Sequence, residues 1–350
     1  MGYNGRKIVL VAKKQRLNAR RSRLQKRNSP LYEITRILLL TAHLLCVNVA
    51  SGAPLLCIWL EWRRSRTSGE AIRYLASGSV LGLLIGGAIG LLLGLLEWDA
   101  SYQNVWTVQL GRRVFFGVLE LLFSAALLAI YWFWRKRDEA PAWLSAARTL
   151  LPLVAATNLM YHFPLLFFSG QRLLDQPTDS APLTGAEIRS LMFSGEIPAL
   201  TVHFIVASVA VAGLMLAHLA LRWGRLGREE DARWAAVAGG RWALGATLLQ
   251  LPVGLWTLVA LPRPMQNELV GSNPVGLVLF ASSMVAALWL TRELVNLALG
   301  EADRKTIMRS ATAMLLTITL MTSAHEIARG KRQQVNHSNR GSQTASPTTP

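Results

Sequence analysis

Eight separate stretches of about twenty or more apolar residues run through this chain, at about 35–60, 75–96, 113–134, 144–169, 196–222, 235–261, 273–298 and 306–328. A helix of ~20 apolar residues is long enough to cross the hydrocarbon core of a bilayer. With 52% of all residues hydrophobic, the chain reads as an integral membrane protein rather than a soluble enzyme. The expected fold class is all-α, a bundle of about eight transmembrane helices over residues 31–330. A basic extension, residues 1–30, precedes the bundle, and a polar tail, 331–350, follows it. The tail is rich in Ser, Thr, Gln, Asn and Pro, which predicts disorder. The first 30 residues hold no apolar stretch of the kind a cleavable secretory signal needs.

The net charge of +17 raises nucleic acid as a partner. Most of that charge lies in short loops and at the N-terminus, where anionic headgroups are the nearer partner. No recognition module accompanies it, so no nucleic acid is expected. The loops after odd-numbered spans are basic, with Arg63, Arg64 and Arg66; Arg135, Lys136 and Arg137; Arg225, Arg228 and Arg233; and Arg304, Lys305 and Arg309. Loops after even spans carry fewer cations. The positive-inside rule then puts odd loops in the cytoplasm and both termini outside, in the inner (cytoplasmic) membrane. The segment KKQRLNARRSRLQKR opposes this. An inverted topology, an arm lying on the surface or a true start further downstream would each account for it, and the four loops, which agree independently, favour termini outside. Cys46 and Cys57 are eleven residues apart on one predicted helix. That is about 16 Å at 1.5 Å per residue, too far for a disulfide.

Two local patterns organise the spans. Gly78, Gly82, Gly86, Gly90 and Gly94 recur every fourth residue in span two, making one continuous groove on a helix face. Close helix packing explains it, as would close approach of a porphyrin edge. In the longest loop, 170–195, Thr184 and Glu187 form a capping box that predicts a short surface helix over 185–193.

The candidate chemistry is a layer of ionisable groups. His43, His162, His203 and His325 each lie within about seven residues of a predicted span end, all at the same membrane face. Met284 and Glu120, each seven to ten residues inside its span, join that level. Intramembrane ionisable residues are costly and mark functional sites. Several imidazoles near one plane, without a cysteine or carboxylate cage, suit haem iron. Ala207 and Ala210, following His203 at i+4 and i+7, leave a strip beside the imidazole for a flat macrocycle. Hydrogen bonds across helices are the alternative role for each histidine. Glu120 is a candidate catalytic residue, on a proton path or bonded to a neighbouring helix. His218 lies fifteen residues beyond His203, about 22 Å down the helix, and fits an interfacial, snorkelling side chain.

The segment LTVHFIVASVAVAGLMLAHLALRWGR, followed by ARWAAVAGGRWALGATLLQLPVG, resembles spans five and six of subunit I of cytochrome bd-type quinol oxidases. TAHLLCVNVASGAPLLCIWLEWR resembles the first span, and GGAIGLLLGLLEWDASYQNVW with FFGVLELLFSAALLAIYWFWRK resembles spans two and three. The resemblance implies that His203 and Met284 ligate a low-spin haem b and that His43 ligates a second, high-spin haem. It matches Glu120 to one of the family's buried glutamates, and His162 and His325 remain further candidates for haem binding. The departures are specific. The quinol-binding loop shrinks to PRPMQNELVGSN, Ser282 replaces an arginine, and Met321 stands near the place of a glutamate ligand. The signature after the last shared span survives only as Gly330, Lys331, Arg332 and Gln333, and a ninth span is missing.

The expectation is a membrane b-type cytochrome passing electrons in a respiratory-type chain, with a second membrane subunit or a c-type cytochrome as partner and quinol as a possible donor. Arg112, Arg113 and Arg172 are candidates for haem propionates. A divergent quinol:oxygen oxidoreductase, and a haem-free transporter or assembly protein, are the alternatives.

Overall fold

A computed structural model describes residues 30–63, 65–134, 143–175, 181–271 and 273–343. In chain order the helices are α1 (Pro30–Arg63), α2 (Arg66–Leu96), α3 (Ala100–Gln103), α4 (Gly111–Trp134), α5 (Trp143–Asp175), α6 (Gly185–Met192), α7 (Ile197–Arg225), α8 (Glu229–Ala260), α9 (Arg263–Val270), α10 (Pro274–Leu299) and α11 (Arg304–Gln343). A π-helical stretch, Asn104–Gln109, joins α3 to α4. Eight of these, α1, α2, α4, α5, α7, α8, α10 and α11, are long and apolar enough to cross a membrane. Among the described residues there is no strand. The all-α, eight-span architecture is as the hydropathy pattern predicts.

Most helices outrun the apolar windows that predict them. α1 starts at Pro30 and α5 continues to Asp175, because backbone hydrogen bonding carries a helix past its last lipid-facing residue. α11 likewise runs on as helix to Gln343, since extending an established helix costs far less than starting one. The basic extension, residues 1–29, lies outside the described residues.

The face at which α1 begins is here the proximal face, and the opposite one is the distal face. The main core joins α1, α2, α7, α8, α10 and α11 through side chains such as Leu56, Leu60, Leu75, Leu216, Trp223, Leu294 and Ile307. Small residues set the closest crossings. A Cβ added at Gly239 of α8 would run into the backbone of Gly213 and Ala217 on α7. The glycine groove of α2 packs on α1, where Gly82 faces the Cys46 carbonyl and Gly86 faces Val47. Of the two explanations for that groove, helix packing is the one its neighbours match. Hydrogen bonds add to it, with Ser208 Oγ donating to Asn48 Oδ1 at 2.8 Å and Ser79 Oγ to the Ala50 carbonyl at 2.7 Å.

Tight ends connect the spans. Ser65 caps α2, Asn273 caps α10 just ahead of Pro274, and α10 stops at Gly300, whose φ of 108° suits glycine. The capping box forms as predicted, with Thr184 and Glu187 bonding reciprocally at the start of α6.

Candidate functional site

The helix register decides which predicted residues share a level. α1 and α7 both run from the proximal to the distal face. Asn48 and Ser208, which bond to each other, lie five residues beyond His43 and His203 respectively. The two histidines are therefore level. His162 falls within roughly a turn of them, because Ala50 shares a packed cluster with Ala155 and Leu159. His325 does not share the level. Its neighbour Glu326 binds Arg36 at 2.8 Å, and His43 lies seven residues deeper on α1 than Arg36. His325 therefore sits about 10 Å nearer the proximal face.

The four histidines differ in what they touch. His43 Nδ1 is 2.8 Å from the Gly86 carbonyl. Because a carbonyl only accepts, Nδ1 carries a proton, and in the neutral ring Nε2 keeps its lone pair. Gly90 makes room for the ring, since an added Cβ there would come within 2.8 Å of it. His162 Nδ1 lies 3.0 Å from Glu120 Oε2, and Asn158 braces that pair by donating to the Glu120 carbonyl and to Ser124 Oγ. His325 lies 3.9 Å from Glu326. Of the three level histidines only His203 has an imidazole with no hydrogen bond to any described residue, and its Nδ1 is buried. Gln250 of α8 reaches only its main-chain carbonyl, at 3.4 Å.

Met284 can be placed the same way. Gly240 of α8 packs on Leu297 and Ala298 of α10. The two helices are antiparallel, so thirteen residues back from Leu297 to Met284 correspond to thirteen forward from Gly240 to Val253. Val253 is one turn from Gln250, the residue that touches His203. His203 and Met284 thus stand within about 5 Å of the same level, on two helices that both pack against α8.

Other buried polar groups lie on either side of this level. Glu293 in α10 is buried, with Trp289 Nε1 donating to Oε1 at 3.2 Å and Oε2 unpaired among the described residues. A carboxylate inside the apolar run WLTRELV was a readable signal for it. At the proximal face, Arg36 bridges Glu33, Glu97 and Glu326. Beside it, Arg329 meets Asp175 at 3.3 Å, joining α11 to the end of α5. Burial, then the Glu97 carboxylate, push the nearby Tyr102 phenol up, against the pull of Arg329. Apart from the Arg36–Glu33 pair on one helix turn, the ion pairs of this cluster span 61 to 290 positions of sequence, and no local pattern announces them.

Of the arginines expected at propionates, Arg172 is already engaged, donating to the Ser194 carbonyl at 2.9 Å and lying 3.6 Å from Glu196. Arg112 and Arg113 are exposed at the start of α4. His218 is exposed on the distal half of α7. The short segment between α8 and α10 forms a helix of its own, α9. Its Met265 and Leu269 pack with Ala324 and Ala328 of α11.

No protein-family model matches the chain, and no curated protein matches it. Among solved structures it is similar to a chain of the bd oxidase from Geobacillus thermodenitrificans, with a TM-score of 0.67 at 15% identity, over 85% of this chain and 86% of that one. The bundle therefore has a bd-oxidase fold, as the resemblance implied, and at this identity the likeness concerns fold alone.

Proposed function

We propose that this chain is a membrane b-type cytochrome built on the bd-oxidase fold, with His203 and Met284 as the ligands of a haem b. The observation that carries the reading is the His203 imidazole. A buried ring nitrogen without a partner is uncommon, and each such group calls for an explanation such as an unseen ligand. The other imidazole at this level on a core helix, His43, is bonded to the protein, and a thioether stands level with His203 across α8. Haem b held there would supply one-electron chemistry, at a potential that thioether–imidazole ligation raises above bis-imidazole ligation.

The chain's own residues define the rest. Gln250 ties the His203 carbonyl to α8, and the buried Ala210 continues the small-residue strip beside the imidazole. His43 is the candidate for a second, high-spin haem. Its Nδ1–H is held by a backbone carbonyl, an arrangement that orients Nε2 toward a metal. His162, which faces outward from the bundle, and the shallower His325 rank below His43 as haem ligands. Glu120 in this reading holds a proton jointly with His162 rather than touching the haem at His203. The basic loops put the distal face in the cytoplasm of an inner-membrane protein, and electrons enter near the outer, proximal face. A c-type cytochrome or a second membrane subunit is the favoured exchange partner. Quinol is less favoured, because α9 packs against α11 where the family carries its long quinol loop.

The test is a reduced-minus-oxidised spectrum of the purified protein. A b-type spectrum is expected, lost in His203→Ala and retained in His218→Ala. Purified protein without Soret absorption, or an unchanged spectrum in His203→Ala, would overturn the assignment.

A further inference from the structure

We propose that the outward face of α4 and α5 is the two-fold interface of a homodimer, sealed by the Glu120–His162 pairs of two copies. The inference goes beyond the haem reading and stands without it. Elsewhere among the described residues, ion pairs join helix ends near the two membrane faces. The Glu120–His162 pair is different, because Glu120 lies nine residues inside α4 from Gly111. It also faces outward, with side chains 33% and 48% exposed. Ionisable groups at that depth nearly always face a bundle interior or a wet cavity, because hydrocarbon solvates them poorly. Something must cover this pair.

A second copy of the chain supplies what the pair lacks. Oε2 of Glu120 is matched to Nδ1 of His162, whereas Oε1 and Nε2 have no partner among the described residues. A two-fold axis through the pair brings each Nε2–H to the Glu120 Oε1 of the other copy. The result is a ring of two imidazolium and two carboxylate groups with no net charge and both remaining sites filled. Such self-complementarity is what an isologous contact requires. The flanks fit as well. The pair sits in an outward-facing cleft of about 590 Å³ lined by Leu119, Phe123, Leu153 and Val154, apolar side chains that can interdigitate across the axis. Thr157 and Asn158 in the same cleft already bond within the bundle and do not compete.

The test is cysteine crosslinking in native membranes, in the full chain with Cys46→Ser and Cys57→Ala. Under mild oxidation Thr157→Cys is expected to give a disulfide-linked dimer. Leu288→Cys, exposed on α10, is expected to give at least tenfold less. In detergent the parent should have the mass of a dimer, and Glu120→Leu/His162→Leu should lower the dimer fraction at least tenfold while keeping its helicity and thermal transition. If the double variant does not fold, the crosslinking comparison decides alone. Equal crosslinking at both positions, or a Thr157→Cys adduct with the mass of a different chain, overturns the proposal. The haem spectrum of the same preparation is read separately, so a haem-free dimer and a haem-bearing monomer are distinguishable failures.

Discussion

Replacing Arg36 should cost the fold more than any other single charge removal at the proximal face. Its guanidinium meets three carboxylates, Glu326 at 2.8 Å and Glu97 and Glu33 at 3.0 Å each. Those partners are not equivalent. The Glu326 side chain is 8% exposed, Glu97 25% and Glu33 47%, so Glu33 is close to a surface pair worth ~0–1 kcal/mol. Removing one member of a buried pair costs about 3–5 kcal/mol, since it strands the other. Arg36→Met should therefore destabilise by about 3 kcal/mol, the lower end of that range. Two features hold it there. Arg329 remains near Glu326, and the substitution also deletes the buried, unpaired Nε of Arg36. Glu33→Gln should cost less than about 1 kcal/mol. The double variant Arg36→Met/Glu326→Leu should recover most of the loss, because replacing both members of a buried pair is often near neutral. Unfolding by SDS titration from mild detergent, followed by circular dichroism, measures all three. If Arg36→Met lies within error of Glu33→Gln, the hub is not a buried network and the reasoning fails.

Three further outcomes follow from other parts of the fold. Gly239→Ala should destabilise by about 1–3 kcal/mol in the same titration, because its Cβ meets α7 backbone that cannot move aside. Gly245→Ala on the same helix, with nothing near its added Cβ, should instead stabilise by up to about 1 kcal/mol. In the α6 capping box, the backbone N–H of Thr184 and then its hydroxyl hold the Glu187 carboxyl below the usual carboxylate range. A folded-state value below the unfolded one means the stabilisation is present at neutral pH and is lost as pH falls through that range. Hydrogen-exchange protection of α6, corrected for intrinsic rates, should drop below about pH 4 in the parent and show no such step in Glu187→Gln.

The number and type of the spans followed from apolar run length alone, because a bilayer allows a run of that length essentially one outcome. Caps read from short motifs, such as Thr184 with Glu187, also held, since both partners lie within one turn. What sequence could not supply was height and pairing. Distance from a predicted span end places His43 and His325 at one level, yet their helices protrude by different amounts, and only the Asn48–Ser208 and Arg36–Glu326 contacts calibrate them. Likewise His43, His162 and His203 are indistinguishable as letters in apolar runs. Tertiary packing supplied the Gly86 carbonyl to the first and Glu120 to the second, and left the third with no side-chain hydrogen bond among the described residues, level with Met284. Composition determined that this chain lives in a membrane as a helical bundle. Which of its histidines is free to take a ligand was decided by how the helices slid into register, because that choice depends on neighbours tens to hundreds of residues away.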